Sequence, residues 1–270
     1  MKKTFLFLVL TGLTLLSADT LDYGHSVLIV TTLQGEAMAQ FTPEDLNSRA
    51  LEVLKQASYD QDLTVGSFLG AHMKQARRLG RMTLETKRMN TKYRSDGMVS
   101  VDYEFPLTGS VLEQLLPKVG GGRLLGRVAC PYCGQEWPKG KEVPDGVELV
   151  PYEDGNTVTY TGILIDARGL SYRPAFFPKV VTEQDDEVYG PGFTQAEELA
   201  EYGMVGYYKN RTEALVSERI GTDPLVVRAL SVTGSNSCNL VVSDYDAARV
   251  HGSKANLELM AKCRVGLLVD

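Results

Sequence analysis

Apolar positions along the chain change period several times, and each change marks an element. Residues 27–32 (VLIVTT) are a β-branched run with the make-up of a strand. Leu46, Ala50, Leu54 and Ala57 then recur at helical spacing. Ahead of them, Thr42 can cap a helix, and Pro43 fits its first turn because its missing N–H would be unpaired there anyway. A second helical stretch puts Phe68, Leu69, His72, Met73, Ala76 and Leu79 on one side. Lys74, Gln75, Arg77, Arg78 and Arg81 fall mostly on the other, which reads as a solvated face. Asp96-Gly97 reads as a type I′ turn, followed by Val99, Val101, Tyr103, Phe105 and Leu107 in strict alternation. Ser110 to Glu113 has the spacing of a capping box, opening a short helix that Pro117 stops.

After Gly120-Gly121-Gly122 the pattern lapses, and the chain to Gly155 is rich in Gly, Pro and charge. It resumes with strands expected at 158–165, 204–208, 225–233, 240–242 and 265–269. A hairpin is expected around Asp185-Asp186, between 179–182 and 187–189. Helices are expected from a capping box at 194–197, across 211–220, after Ser243 with Asp246 at its third position, and after Ser253. This alternation predicts an α+β protein of two small domains, at 19–118 and 157–270, joined by a connector at 119–156.

The first 18 residues have a different character. Lys2 and Lys3 precede a 13-residue apolar run and then Ser17-Ala18, the layout of a secretory signal peptide. The run is shorter than the roughly 20 residues that cross a bilayer. A cut after Ala18 places the chain in an oxidising compartment, the bacterial periplasm. The first cysteine is Cys130, so no cysteine follows the leader to carry a lipid, although outer-membrane association stays open. The formal net charge is −6, from 28 Lys and Arg against 34 Asp and Glu, which argues against a nucleic-acid partner.

Candidate chemistry is sparse. Cys130-Pro131-Tyr132-Cys133-Gly134 is compatible with a local disulfide, a redox pair or one knuckle of a zinc site. The Pro and Gly that follow cannot form the helix a redox pair needs, and a closed zinc site needs four ligands. Cys238 and Cys263 could pair with each other. His25, His72 and His251 are isolated, and His72 reads as a core residue. Asp166 and Arg168, two apart at a strand end with Arg173 nearby, form the best polar constellation. They could bind an anion or a subunit, or form a structural ion pair. Gly120 to Gly122 lacks the Lys-Ser/Thr of a phosphate cradle and reads as a hinge. No nucleophile elbow, dinucleotide fingerprint or paired-histidine metal motif occurs, and no cofactor is expected.

The stretch AHMKQARRLGRM, the Asp-Gly hairpin and VSVDYEFPLTGSVLEQLLP resemble the twenty-kilodalton lipoprotein family that includes the flagellar protein FlgP. YTGILIDARGL, RPAFFPKV, EVYG and VVSDYDAARV are similar to segments of longer exported proteins related to that family. The resemblance implies an envelope protein that self-associates into rings or discs, has no enzymatic activity and has no catalytic residues to carry over. Family members are usually anchored through an N-terminal cysteine, which this chain lacks. The expectation is therefore a structural or assembly protein of an envelope complex, such as a flagellar disc, whose partners are its own copies and other envelope proteins. A thiol–disulfide or metal-handling protein using Cys130 and Cys133, or a small-ligand module near Asp166 and Arg168, are the alternatives.

Overall fold

The computed structural model describes residues 19–34, 41–82, 84–153, 155 and 158–270; the expected leader at 1–18 lies outside them. Strands β1 (Thr20–Asp22) and β2 (Val27–Gln34) pair antiparallel. Helix α1 (Pro43–Gln56) starts as its sequence dictates. The Thr42 hydroxyl accepts from the Asp45 N–H, and the Asp45 carboxylate accepts from the Thr42 N–H at 3.0 Å. Its Leu46, Ala50 and Leu54 are buried.

The expected second helix is two helices, α2 (Val65–Ala71) and α3 (Met73–Arg81), because His72 leaves helical geometry at φ −119°, ψ 67°. The His72 ring stacks on Phe68 at 4.2 Å, and its Nδ1 lies 2.8 Å from the Phe68 carbonyl, which also accepts the His72 N–H at 3.0 Å. The axis change swings Met73 out to 58% exposure and leaves Leu79 as the buried anchor of α3.

Strands β3 (Lys87–Tyr93) and β4 (Val99–Pro106) form the expected hairpin and complete a sheet of order β1-β2-β4-β3. The turn is not type I′, which needs a positive φ at both central residues. Gly97 is at φ 79° while Asp96 is not left-handed, and the Arg94 N–H donates to the Met98 carbonyl, as in a three-residue loop. Helix α4 (Ser110–Glu113) is capped by Gly109 with no side-chain bond, so the expected Ser110 box does not form.

A two-stranded piece, β5 (Val128–Ala129) and β6 (Val150–Pro151), organises the connector. Beyond it run β7 (Ile163–Asp166), β8 (Val180–Val181), β9 (Glu187–Tyr189), a 3₁₀ turn at Pro191–Phe193 and α5 (Ala196–Tyr202). Then follow β10 (Gly206–Tyr208), α6 (Arg211–Val216), β11 (Leu225–Arg228), β12 (Ser231–Thr233) and β13 (Asn239–Val241). Helices α7 (Asp244–Val250) and α8 (Lys254–Ala261) and the closing strand β14 (Val265–Leu268) complete the chain. One sheet is parallel throughout, in the order β10-β14-β7-β11; a second, mixed sheet has the order β12-β13-β8-β9. The fold is α+β, with mixed sheets and short helices.

The single strand expected at 225–233 serves both sheets. The Ala229 N–H donates to Asp166 on β7, and the next N–H, of Leu230, donates to Val241 on β13. Strand β7 starts late because the preceding residues serve a turn. The Thr161 hydroxyl donates to the Ile220 carbonyl, and a Cβ on Gly162 would lie 2.6 Å from that oxygen. The capping box expected at Thr194 is also replaced: its hydroxyl donates to Pro191, and Gln195 occupies the cap without a side-chain bond. Ser243 and Ser253 cap α7 and α8 as expected.

The regions read as separate domains share one apolar core. Tyr59 stacks on Phe68 at 4.2 Å, meets Phe177 edge-on at 4.9 Å and donates its hydroxyl to the Leu115 carbonyl. The N–H groups of Phe176 and Phe177 donate to Ser58 and Tyr59, and Tyr23 packs against Phe176 and Tyr207. The glycine triplet is a packed strap, not a hinge: Gly120 and Gly122 donate to Pro191 and Gly192. Gly122 lies so close to Phe193 that a Cβ would sit 2.7 Å from its ring.

Candidate functional site

The connector holds the cysteine pair at the tip of a short hairpin. The Trp137 N–H donates to Val128 at 2.7 Å, Cys130 N–H donates to Gln135 at 2.9 Å, and Gly134 N–H returns to the Cys130 carbonyl at 2.9 Å. That last bond closes a turn in which Gly134 takes φ 71°, the left-handed conformation glycine adopts at little cost. Arg127 and Glu136 brace the base of the hairpin in a two-bonded pair at 2.8 and 2.6 Å, and Arg127 also covers the Tyr152 ring.

The turn aims backbone at sulfur. The N–H groups of Tyr132 and Cys133, and then the Cys133 thiol, donate toward Cys130 and hold its thiol below the usual range. Residues 131–136 are exposed, with Tyr132 at the tip 82% exposed. Cys238 and Cys263 are different. Both are fully buried, and desolvation pushes their thiols up to about 12 and about 11. No two of the four cysteines lie at disulfide distance, neither Cys130 and Cys133 nor Cys238 and Cys263, whose pairing the sequence leaves open. Cys238 leads into β13, while Cys263 lies between α8 and β14, at the end of the other sheet. Among the described residues no three or more His, Cys, Asp or Glu side chains converge as a metal cage.

Asp166 and Arg168 meet as the two-residue spacing suggested. The guanidinium donates to both carboxylate oxygens, at 2.9 and 2.7 Å, and the Arg168 N–H donates to the first at 3.2 Å. Those bonds hold the Asp166 carboxyl below its usual range. They use two of the five guanidinium N–H donors, and the pair is an ion pair at the end of β7. Nearby, the Gly169 N–H donates to the Asp270 carboxylate. Arg173 is exposed, and its N–H joins Ser237; no contact links it to the pair.

Sequence reasoning missed His251, and it read only the helical half of a basic segment, as a solvated face. His251 is buried, accepting the Leu125 N–H at Nδ1 and reaching the Val188 carbonyl with Nε2, which ties the connector to β9. Its partners lie 126 and 63 positions away, so no local signal marks it. The other is that segment, the basic face. Residues 73–94 hold eight of the 28 Lys and Arg but one of the 34 acidic residues, Glu85. Every one of those eight basic side chains is exposed, and so is every residue of β3. The count was available in the sequence; the exposure of both faces of β3 was not. A cleft of about 1550 Å³ also runs between the connector and α7 and α8, lined in part by Leu125, Trp137, Phe193 and Leu257.

Residues 162–270 match the family model described as Treponema pallidum Tp0624, second domain, a bacterial family. The matched stretch contains both C-terminal sheets; the cysteine hairpin and the basic face lie outside it. No curated protein matches the chain.

Proposed function

We propose that this chain is a non-enzymatic structural or assembly subunit of a bacterial envelope complex, that it works by self-association, and that it resides in the periplasm. The carrying observation is the segregation of charge: a segment, 73–94, whose eight basic side chains are all exposed, on a chain of net charge −6. On α3, Lys74, Arg77, Arg78 and Arg81 have no ion pair among the described residues. Strand β3 is a sheet edge, but its charges and the register shift between Arg88 and Thr91 blunt pairing with an identical strand. Such a face repels its own copy, so it fits an acidic surface of the next one, such as the exposed turn bearing Glu183, Asp185 and Asp186. A contact between two different surfaces is heterologous, and its repetition closes a ring or extends a filament.

The leader pattern at 1–18 and the bacterial family match over 162–270 support the envelope assignment. The resemblance of residues 45–117 to the flagellar lipoprotein family supports a disc or ring as the assembly. The test is sedimentation velocity at low salt of the chain and of Arg77→Glu/Arg78→Glu. The parent sediments as an oligomer and the variant as a monomer with an unchanged melting temperature, since both side chains are exposed. A variant that assembles like the parent sinks the reading.

A further inference from the structure

We propose that the cavity between the glycine strap and the C-terminal sheets binds a small molecule bearing a phosphate group. The cavity measures about 390 Å³ and is lined from three parts of the chain. Tyr59 and Asp60 come from the loop after α1, Lys118 and Arg123 flank the glycine triplet, and Phe177, Lys179 and Glu187 come from the segment around β8 and β9. Its size is at the small end of the roughly 300–1,000 Å³ of ligand pockets. It equals the liquid volume of about 13 waters, room for a phosphate with a small organic group attached. Tyr59 and Phe177, whose rings meet edge-on at 4.9 Å, supply an apolar wall for that group.

The charge of the lining selects an anion. Both carboxylates in the wall are engaged within the protein. Glu187 holds Lys179 Nζ at 2.9 Å and accepts the Gly192 N–H at 2.8 Å, and a Cβ on Gly192 would lie 2.6 Å from the accepting oxygen. Asp60 accepts the N–H groups of Asp62 and Leu63 at 3.0 and 2.9 Å. Lys118 and Arg123 are exposed, and neither has an ion pair among the described residues. A phosphate monoester, with a charge of about −1.5 to −2, matches those two cations better than a singly charged carboxylate does. The strap adds backbone to the site. Gly120 and Gly121, at φ 80° and 84°, have nothing within 4 Å of where a Cβ would sit. Backbone without side chains lets phosphate oxygens come close. The N–H groups of Gly120 and Gly122 are bonded to Pro191 and Gly192, while that of Gly121 has no partner among the described residues. The cations that the triplet lacks as a sequence motif thus come from its flanks, Lys118 before it and Arg123 directly after it.

The test is calorimetric titration of the full chain with phenyl phosphate at about 0.15 M salt, where exposed charges are screened beyond about 8 Å. The expected result is saturable binding of one phenyl phosphate per chain, with a melting temperature raised by mass action. Lys118→Ala/Arg123→Ala should weaken binding about tenfold or more, since it removes both charge-assisted partners. Its melting temperature without phenyl phosphate should match the parent's, because both side chains are exposed. Benzoate, which carries a carboxylate instead, should bind about tenfold more weakly or worse. No binding, equal affinity for benzoate, or equal affinity in the double Ala variant overturns the proposal. Loss of binding in Arg77→Glu/Arg78→Glu with retention in the double Ala variant places the phosphate on residues 73–94 and overturns it as well. Capture of the chain on phosphatidic acid vesicles, reversed by phenyl phosphate and lost in the double Ala variant, makes the source a lipid headgroup. Phenyl phosphate binding without capture makes it a soluble molecule. These outcomes do not depend on self-association, so the site and the assembly can fail separately.

Discussion

His251 is neutral in the fold because both ring nitrogens are committed: Nδ1 accepts from Leu125 at 2.8 Å, which leaves the proton on Nε2 for the Val188 carbonyl at 2.7 Å. Burial lowers its pKa from 6.5. The unfolded chain therefore takes up this proton before the folded one does. Stability is full above the unfolded value and is lost as pH falls from there toward the folded pKa. His25, raised by the Asp22 carboxylate, works in the opposite sense, but its side chain is 79% exposed and solvent screens it. Urea unfolding should show stability falling from about pH 7.5 to about pH 5.5, with a shallower fall in His251→Gln. At neutral pH that variant should be about 1–3 kcal/mol less stable, because it strands a buried partner. Equal slopes for the two proteins would refute the assignment. The Asp166–Arg168 pair is the contrasting case. The Arg168 side chain is 45% exposed, so Arg168→Ala should change unfolding stability by less than about 1 kcal/mol. At this scale, legibility follows distance along the chain. Thr42, Ser243 and Ser253 act within three residues of themselves and could be read directly, whereas the two bonds of His251 span the molecule.

Elements depart from their sequence pattern where a side chain or a neighbouring backbone competes with the regular ladder. The helix expected through residue 79 breaks at His72, whose backbone turns to φ −119°, ψ 67° while its ring and its N–H share the Phe68 carbonyl. The strand expected at 225–233 divides because adjacent N–H groups donate to different sheets. Periodicity alone carries neither fact, since both halves of each element keep the expected apolar spacing. The glycine triplet has the same lesson: composition suggested freedom, but Gly122 fills a slot. A Cβ there meets Phe193 at 2.7 Å and the Gly192 carbonyl at 2.9 Å, and that carbonyl is backbone and cannot rotate away. Gly122→Ala should cost about 1–3 kcal/mol of stability, read as a lower denaturant midpoint at unchanged slope. Gly121→Ala, with nothing within 4 Å, should cost less despite its left-handed φ of 84°. If Gly122→Ala were neutral, the strap would not be packed as described.

The whole molecule combines one apolar core with two unlike surfaces. The core, running from β2 and α1 through Tyr59 to the C-terminal sheets, joins what composition divided into two units. The bonds from Phe176 and Phe177 to Ser58 and Tyr59 were not legible in the sequence, because their partners lie more than 100 positions away. The candidate sites were legible as residues but not as geometry. The cysteine motif was visible, the hairpin that carries it was not, and the basic run was visible without the exposure of β3. The central claim is that this basic face meets an acidic face of the next copy, and Coulomb attraction between exposed surfaces weakens once the screening length falls to about 3 Å near 1 M salt. The most direct measurement is the sedimenting mass of the chain across a salt series. The account predicts an oligomer at low salt that dissociates to a single species of one chain as salt rises. A monomer at every salt concentration, or an oligomer indifferent to salt, would contradict it.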